Sequence, residues 1–347
     1  MFLITAATVS GPGKSSAAES KSSGEEVIRV TVSSKEESKP ASRYWLPVSR
    51  REENAEESSR RIARSCPWLE GVPFIERCDE ASLERVARLI ASRYGGEFCW
   101  ASSFEPGFIA ALMSHGFLTM AQRVAADTYA LLPKLHRQRC ALRFEDRRAP
   151  RSIRRKAKHF RVSCDAAFDA VVKGISRQHG DECWLYPPLV AAFRAILESP
   201  PMSCVRVHTF ECWRDDTLVA GELGYACGNV YTSLSGFSNF PSAGSVQCAA
   251  TANWLRLSGY VLWDLGMELP YKIAMGATNM PRQEFLRIVT TARARGDTVP
   301  ILGASTSALN ARDVLDADDP ARFFVAPCPE ASSAPSESPD DPSPRGV

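Results

Sequence analysis

No apolar run in this chain approaches the ~20 residues that a helix needs to cross a bilayer, so the sequence offers no helical membrane span. Its eleven cysteines include no C-x-x-C pair and no regular spacing, which argues against a disulfide framework or a zinc site and for a reducing compartment. The opening Met1–Gly13 stretch has a short apolar patch with no basic residue ahead of it, so it lacks the charged start of a secretory signal. Glu19, Glu25, Glu26, Glu36 and Glu37 make the following region acidic, unlike a mitochondrial presequence. A cytoplasmic location is expected. No excess of charge of one sign defines a partner either, since 42 Lys and Arg face 40 Asp and Glu.

Large apolar residues are scarce at both ends. Residues 1–60 are rich in Ser, Glu and Lys, and residues 326–347 repeat Pro, Ser and Asp. Neither stretch can bury enough surface to offset its ordering entropy, so both are expected to be disordered tails. Between them, a small domain is expected over 61–150 and a larger one over 151–325. Leu83, Val86, Leu89 and Ile90 have helical spacing within 82–94, and Pro106–His115 reads as a second helix ending at Gly116. The segment Lys134–Arg161 holds twelve Lys and Arg against Glu145 and Asp146 alone. Such a cluster either is a solvated face or binds a polyanion by releasing its counter-ions.

The second half carries the clearest pattern. Phe160–Val172 reads as a strand running into a helix, with a further helix at about 187–197. Val205–Trp213, Thr217–Ala226 and Val230–Ser235 are rich in β-branched and aromatic residues, and Arg214-Asp215-Asp216 and Gly228-Asn229 part them, as an antiparallel meander requires. A helix is predicted over Ala243–Leu257, with Ser242 placed to cap it and Gly259 placed to end it. Tyr260–Asp264 reads as a short buried strand with a carboxylate at its end, and a last helix is predicted to start at Pro281.

Within this pattern stand His208-x-x-Glu211-x-Trp213, Leu218-Val219-x-Gly221, Gly224, Gly228, Ser235-x-Phe237-Ser238, Leu262-x-Asp264, Met275-Gly276-Ala277 and Pro281-Arg282-x-x-Phe285-Leu286. In this order and at these spacings they resemble the leucyl/phenylalanyl-tRNA–protein transferase family. Phe104-Glu105-Pro106 and His115-Gly116-Phe117 add a thinner match, because Thr119-Met120 stands where the family has Pro-Trp. The resemblance implies an α+β fold: a small N-terminal α/β domain, then an acetyltransferase-like (GNAT) mixed sheet flanked by helices. It implies aminoacyl-tRNA as donor, a protein N-terminus as acceptor and a degradation signal as product. A monomer with no membrane association, no metal and no cofactor is expected.

The resemblance also assigns residues. Asp264 matches the aspartate expected to relay the proton of the attacking amine, so Asp264→Asn should cost about two orders of magnitude in transfer while the fold survives. Ser235 is expected to be catalytic beside Asp264, and Ser238, with Tyr231, Ser233 and Phe237 on the same strand, to be a neighbour of the ester. Trp184 is expected to stack on the terminal adenine. Arg151, Arg154, Arg155, Lys156 and Lys158 are the expected tRNA footprint.

Departures lie close to the substrate. Leu234 stands where a glutamate contacts the α-amino group, Gly266 where a glutamine follows the aspartate, and Phe193 where the family has a tyrosine. Glu222 and Gly236 replace two methionines of the side-chain pocket. Alternation puts Leu218, Ala220, Glu222 and Gly224 on one strand face. A carboxylate facing an apolar pocket calls for a cationic partner, so arginine or lysine is expected beside leucine and phenylalanine. A non-catalytic adaptor that binds tRNA or protein N-termini is the second reading. A coenzyme A-dependent acetyltransferase is disfavoured, because Asn239–Gly244 is not the Q/R-x-x-G-x-G/A loop that wraps a pyrophosphate.

Overall fold

The computed structural model describes residues 48–320 apart from 77–78, 93–95 and 305–306. The tail expected over 326–347, and residues 1–47 of the other, lie outside the described residues. Helix α1 (Val48–Ser65) begins within the stretch 1–60 expected to be a tail. Ile62 and Cys66 near its end pack with Leu69, Trp100 and Ala130, which gives the helix an apolar anchor.

The next elements are α2 (Glu80–Ser92), α3 (Pro106–Ser114), a small β1 (Ala121–Ala125) and β2 (Thr128–Leu131) ladder, and β3 (Gln138–Leu142). There follow α4 (Arg151–Ala157), β4 (Arg161–Cys164), α5 (Phe168–His179) and α6 (Pro187–Glu198). The meander is β5 (Val205–Arg214), β6 (Thr217–Cys227) and β7 (Val230–Ser238), then α7 (Ala243–Leu257) and β8 (Leu262–Asp264). Last come α8 (Pro270–Ala274), β9 (Thr278–Pro281), α9 (Arg282–Arg293), β10 (Leu309–Asn310) and α10 (Ala311–Asp316). No described helix is long and apolar enough to cross a membrane.

Eight strands form one mixed sheet in the order β10-β4-β5-β6-β7-β8-β3-β9, and helices cover both faces, as expected. Its pairs are antiparallel except β7 with β8. Side chains of α3, α5 and α6 fill one face, and those of α4, α7 and α10 fill the other. Two covered faces explain why β5 to β7 are buried almost throughout instead of alternating. β3, from the N-terminal side of the expected division at 150, lies inside this sheet between β8 and β9. The core also crosses that position, running from Leu83, Ile109 and Phe117 to Val171, Leu223 and Phe237.

Local geometry explains several motif residues. Glu211 accepts the hydroxyls of Ser163 at 2.6 Å and Thr209 at 2.5 Å and the N–H of Ala167 at 3.3 Å. Trp213 Nε1 donates to the same Ser163 at 2.8 Å, and His208 Nδ1 to Asp165 at 2.8 Å. The His-x-x-Glu-x-Trp run thus ties β4 to β5. Its Glu211 also takes the exposed N–H at the start of α5, where Ala167 has no side-chain acceptor of its own.

Helix α7 starts where expected, but Ser242 does not cap it. Ser242 sits at φ +69° with no side-chain bond into the helix, and Ser238 Oγ accepts the Gly244 N–H at 3.1 Å instead. Its end matches the expectation: Gly259 is left-handed at φ +88°, and the Tyr260 N–H returns to the Leu255 carbonyl at 3.1 Å. Pro281 precedes α9 as its cap and closes β9, one residue before the first turn.

Candidate functional site

A small cavity of about 40 Å³ with an open mouth lies where β6 and β7 meet α7. Gly221 and Glu222 from β6 and Ser233, Ser235, Gly236 and Phe237 from β7 form one wall. Gln247 and Cys248 of α7 form another, and Leu265, Tyr271 and Lys272 close it. The register sets Glu222 opposite Gly236 and Gly221 opposite Phe237, so backbone without side chains borders the carboxylate. Five of the expected site residues meet here: Glu222, Ser233, Ser235, Gly236 and Phe237.

Glu222 faces the cavity as strand alternation predicts and is 6% exposed. Ser233 donates to its Oε1 at 2.6 Å and Gln247 Nε2 to its Oε2 at 3.4 Å. Burial pushes its pKa up to about 7, against the opposing pull of those hydrogen bonds. Trp263 Nε1 donates to Ser233 Oγ at 2.7 Å, which leaves the serine proton for the carboxylate. Lys272 Nζ is engaged by the carbonyls of Leu265 at 2.5 Å and Met267 at 2.7 Å and makes no ion pair with Glu222. Burial lowers the pKa of this lysine.

Ser235 Oγ lies 3.4 Å from His179 Nε2, and the same nitrogen lies 3.3 Å from the Gly236 carbonyl. Sequence reasoning gave histidines little weight and missed His179, Gln247, Tyr271 and Lys272. His179 is the last residue of α5, and only the packing of that helix on β7 brings it to Ser235, on the face of the sheet that α5 covers. Apart from α7 following β7 directly, no local signal marks these four residues.

The other assigned residues lie elsewhere. Leu234 points to the opposite face and packs in the core. Tyr231 is fully buried, edge-on to Phe210 at 5.6 Å. Trp184 is 9% exposed and packs in the same cluster as Leu185 and Phe193, so little of its face is free for stacking. Ser238 caps α7.

Asp264 is fully buried. Arg139 holds it through Nε at 3.0 Å and through Nη2, and the Gly266 N–H donates to it at 2.9 Å. The carboxylate expected to meet the amine is therefore enclosed. Arg139, part of the basic run, leaves the surface and lies 4.3 Å over the Phe285 ring.

The remaining basic residues stay outside. Arg151, Arg155, Lys156 and Lys158 are exposed, and half-buried Arg154 pairs with Asp316 at 2.9 Å. Lys156 Nζ donates to Ser242 Oγ at 2.8 Å, beside the first turn of α7. Four residues of helix, about 6 Å, separate Ala243 from the cavity residue Gln247. Lys156 thus ties the cationic helix to the start of α7, whose second turn lines the cavity.

Among the described residues one cluster has metal-ligand chemistry: the ligand atoms of Cys164, Asp165 and His208 lie within 4.8 Å of one another. Asp165 is already engaged by His208 and the Thr209 N–H, and burial pushes the Cys164 thiol far up, against the thiolate a metal needs.

Residues 141–290 match the model of the leucyl/phenylalanyl-tRNA protein transferase family, so the resemblance read from the motifs is borne out. A leucyl/phenylalanyl-tRNA–protein transferase of Nitrosomonas eutropha is 29% identical over 136 residues, 39% of this chain and 56% of that one. Its counterpart in Syntrophotalea carbinolica is 28% identical over 170 residues, 48% of this chain and 72% of that one. The chain thus spans little more than half the length of the first relative. Among solved structures, a domain described as the C-terminal part of a lysylphosphatidylglycerol synthetase from Agrobacterium fabrum aligns over 66% of this chain and 82% of its own, at 13% identity and a TM-score of 0.33.

Proposed function

We propose that this protein transfers an amino acid from aminoacyl-tRNA to the N-terminal amine of an acceptor protein, marking that protein for degradation. One observation carries the reading: the stretch that matches the family, 141–290, contains both the exposed basic helix α4 and every residue that lines the cavity beside it. Clustered cations next to an open-mouthed pocket suit a polyanion whose charged end carries a small reactive group.

The donor ester is already activated. The acceptor nitrogen attacks its carbonyl carbon, the carbon–oxygen bond to the ribose breaks, and the ribose hydroxyl takes up the proton that the amine loses. Holding amine and ester at near-attack distance supplies much of the acceleration. Ser235 belongs to the cavity wall and His179 Nε2 lies 3.4 Å from its Oγ, which supports a role for this pair in carrying the proton from the amine toward the leaving oxygen. Asp264 acts as a positioning residue: with Arg139 it fixes the turn at Gly266 and holds β8 beside β7, where Asp264 stands opposite Thr232. Arg151, Arg154, Arg155, Lys156 and Lys158 hold the tRNA phosphates.

The enclosure of Asp264 favours a second reading, an adaptor that binds tRNA or an N-terminus without transfer. Incubation with a pool of radiolabelled aminoacyl-tRNAs and peptides of varied N-termini separates the two. Label moved onto peptide supports transfer. Bound tRNA with no labelled peptide supports the adaptor.

A further inference from the structure

The cavity holds a buried carboxyl, Glu222, whose hydrogen-bond partners are neutral groups; Lys272 acts on it across the cavity without contacting it. Glu222 receives a hydroxyl and an amide N–H, both neutral donors, and Lys272 is turned to two carbonyl oxygens. A buried carboxylate without a counter-ion is costly unless a cation completes it. The cavity opens beside it, with Glu222, Ser233 and Gly236 in one wall. A Cβ at Gly236 would come 2.9 Å from the Gly221 carbonyl, so the close pairing of β6 and β7 holds glycine at this position. Phe237, Leu265 and Tyr271 offer apolar wall to the methylene stem that would carry a charged end group.

We propose that this cavity receives a long cationic side chain, that of arginine or lysine on the donor tRNA, with Glu222 as the partner of its guanidinium or ammonium; the assignment rests on the transfer reading above. Glu222 is then the specificity-determining residue of the donor site. Its hydroxyl partner Ser233, fixed by Trp263, aims the carboxylate along the cavity. Burial raises the Glu222 pKa to about 7, and a cation bound beside it would restore its charge.

The test uses the full chain. Arginyl-, lysyl-, leucyl- and phenylalanyl-tRNA are compared as donors to one peptide acceptor, for the wild type, Glu222→Gln and Glu222→Met. In parallel, the binding of amide-linked arginyl- and leucyl-aminoadenosine, which cannot react, is measured by calorimetry. The expected result is a preference for the basic donors and for the arginyl analogue of about 10-fold or more, lost in Glu222→Gln and reversed in Glu222→Met. A wild type that uses leucine and phenylalanine alone, with a preference that Glu222→Gln leaves unchanged, overturns the assignment while the transfer reading stands. If no donor is used at all, the transfer reading fails. The analogues then still decide the cavity, because equal binding of the two, or a preference untouched in Glu222→Gln, overturns the role of Glu222.

Discussion

At the scale of single residues, Glu222 and Asp264 show two fates of a buried carboxylate. Glu222 has a pKa of about 7 in the fold against about 4.3 in an unfolded chain, so the fold keeps a proton that the unfolded chain releases. The stability this proton contributes is present below about pH 4.3 and is lost as pH rises through about 7, a fall on the order of 3 kcal/mol. Lys272, Cys248 and Tyr271 face the same cavity, so melting curves of the wild type are compared with those of Glu222→Gln, which leaves those groups in place. The variant should melt above the wild type at pH 8 and level with it at pH 4.5; parallel curves would show that Glu222 does not titrate in this window. For Asp264→Asn, the buried ion pair replaces the expectation of a surviving fold with one of lost stability. The substitution leaves Arg139 buried beside a neutral amide, and breaking such a pair costs about 3–5 kcal/mol, readable as a lower denaturant midpoint. His179→Ala should lower transfer by about 10²-fold with tRNA affinity unchanged, and an unaltered rate would remove His179 from proton transfer. The sequence showed where Glu222 points, because alternation along β6 is local. It could not show the partner of Asp264, because Arg139 lies 125 residues away and reads as one more surface cation.

At the scale of elements, α4 carries the testable charge. Charge reversal of Arg151, Arg155 and Lys158 together should weaken tRNA binding and flatten its dependence on salt, by roughly 0.7–0.9 in log–log slope for each phosphate no longer neutralised. Reversal of Arg154 also breaks its pair with Asp316, so that residue is left out of the triple. Peptide binding should be unchanged, and an unaltered salt slope would return α4 to a solvated face. The meander and α7 were legible in advance because their periods of two and 3.6 residues and their turn residues are local signals. Three features were not. The Ser242 cap fails because the chain turns left-handed there, and Ser238 reaches the helix first. Helix α1 owes its anchor to Trp100 and Ala130, far along the chain. The insertion of β3 between β8 and β9 is a pairing that no pattern within five residues can announce.

At the scale of the whole molecule, the sheet and core run across position 150: Leu83, Ile109 and Phe117 pack on one face, and Cys140, Leu142 and Phe144 pack with α4 and α7 on the other. The site is therefore assembled from pieces that depend on one framework: β6 and β7 for the carboxylate and hydroxyls, α5 for the histidine, α7 and α8 for the remaining wall. Its chemistry predicts a single covalent outcome. The most direct test is the mass of an acceptor peptide after incubation with the protein and a complete pool of aminoacyl-tRNAs. The account predicts one added aminoacyl residue on the free α-amine, its mass naming the donor, and no addition to the same peptide acetylated at its N-terminus. An unchanged mass for the free peptide, in the presence of protein that binds tRNA, would contradict it.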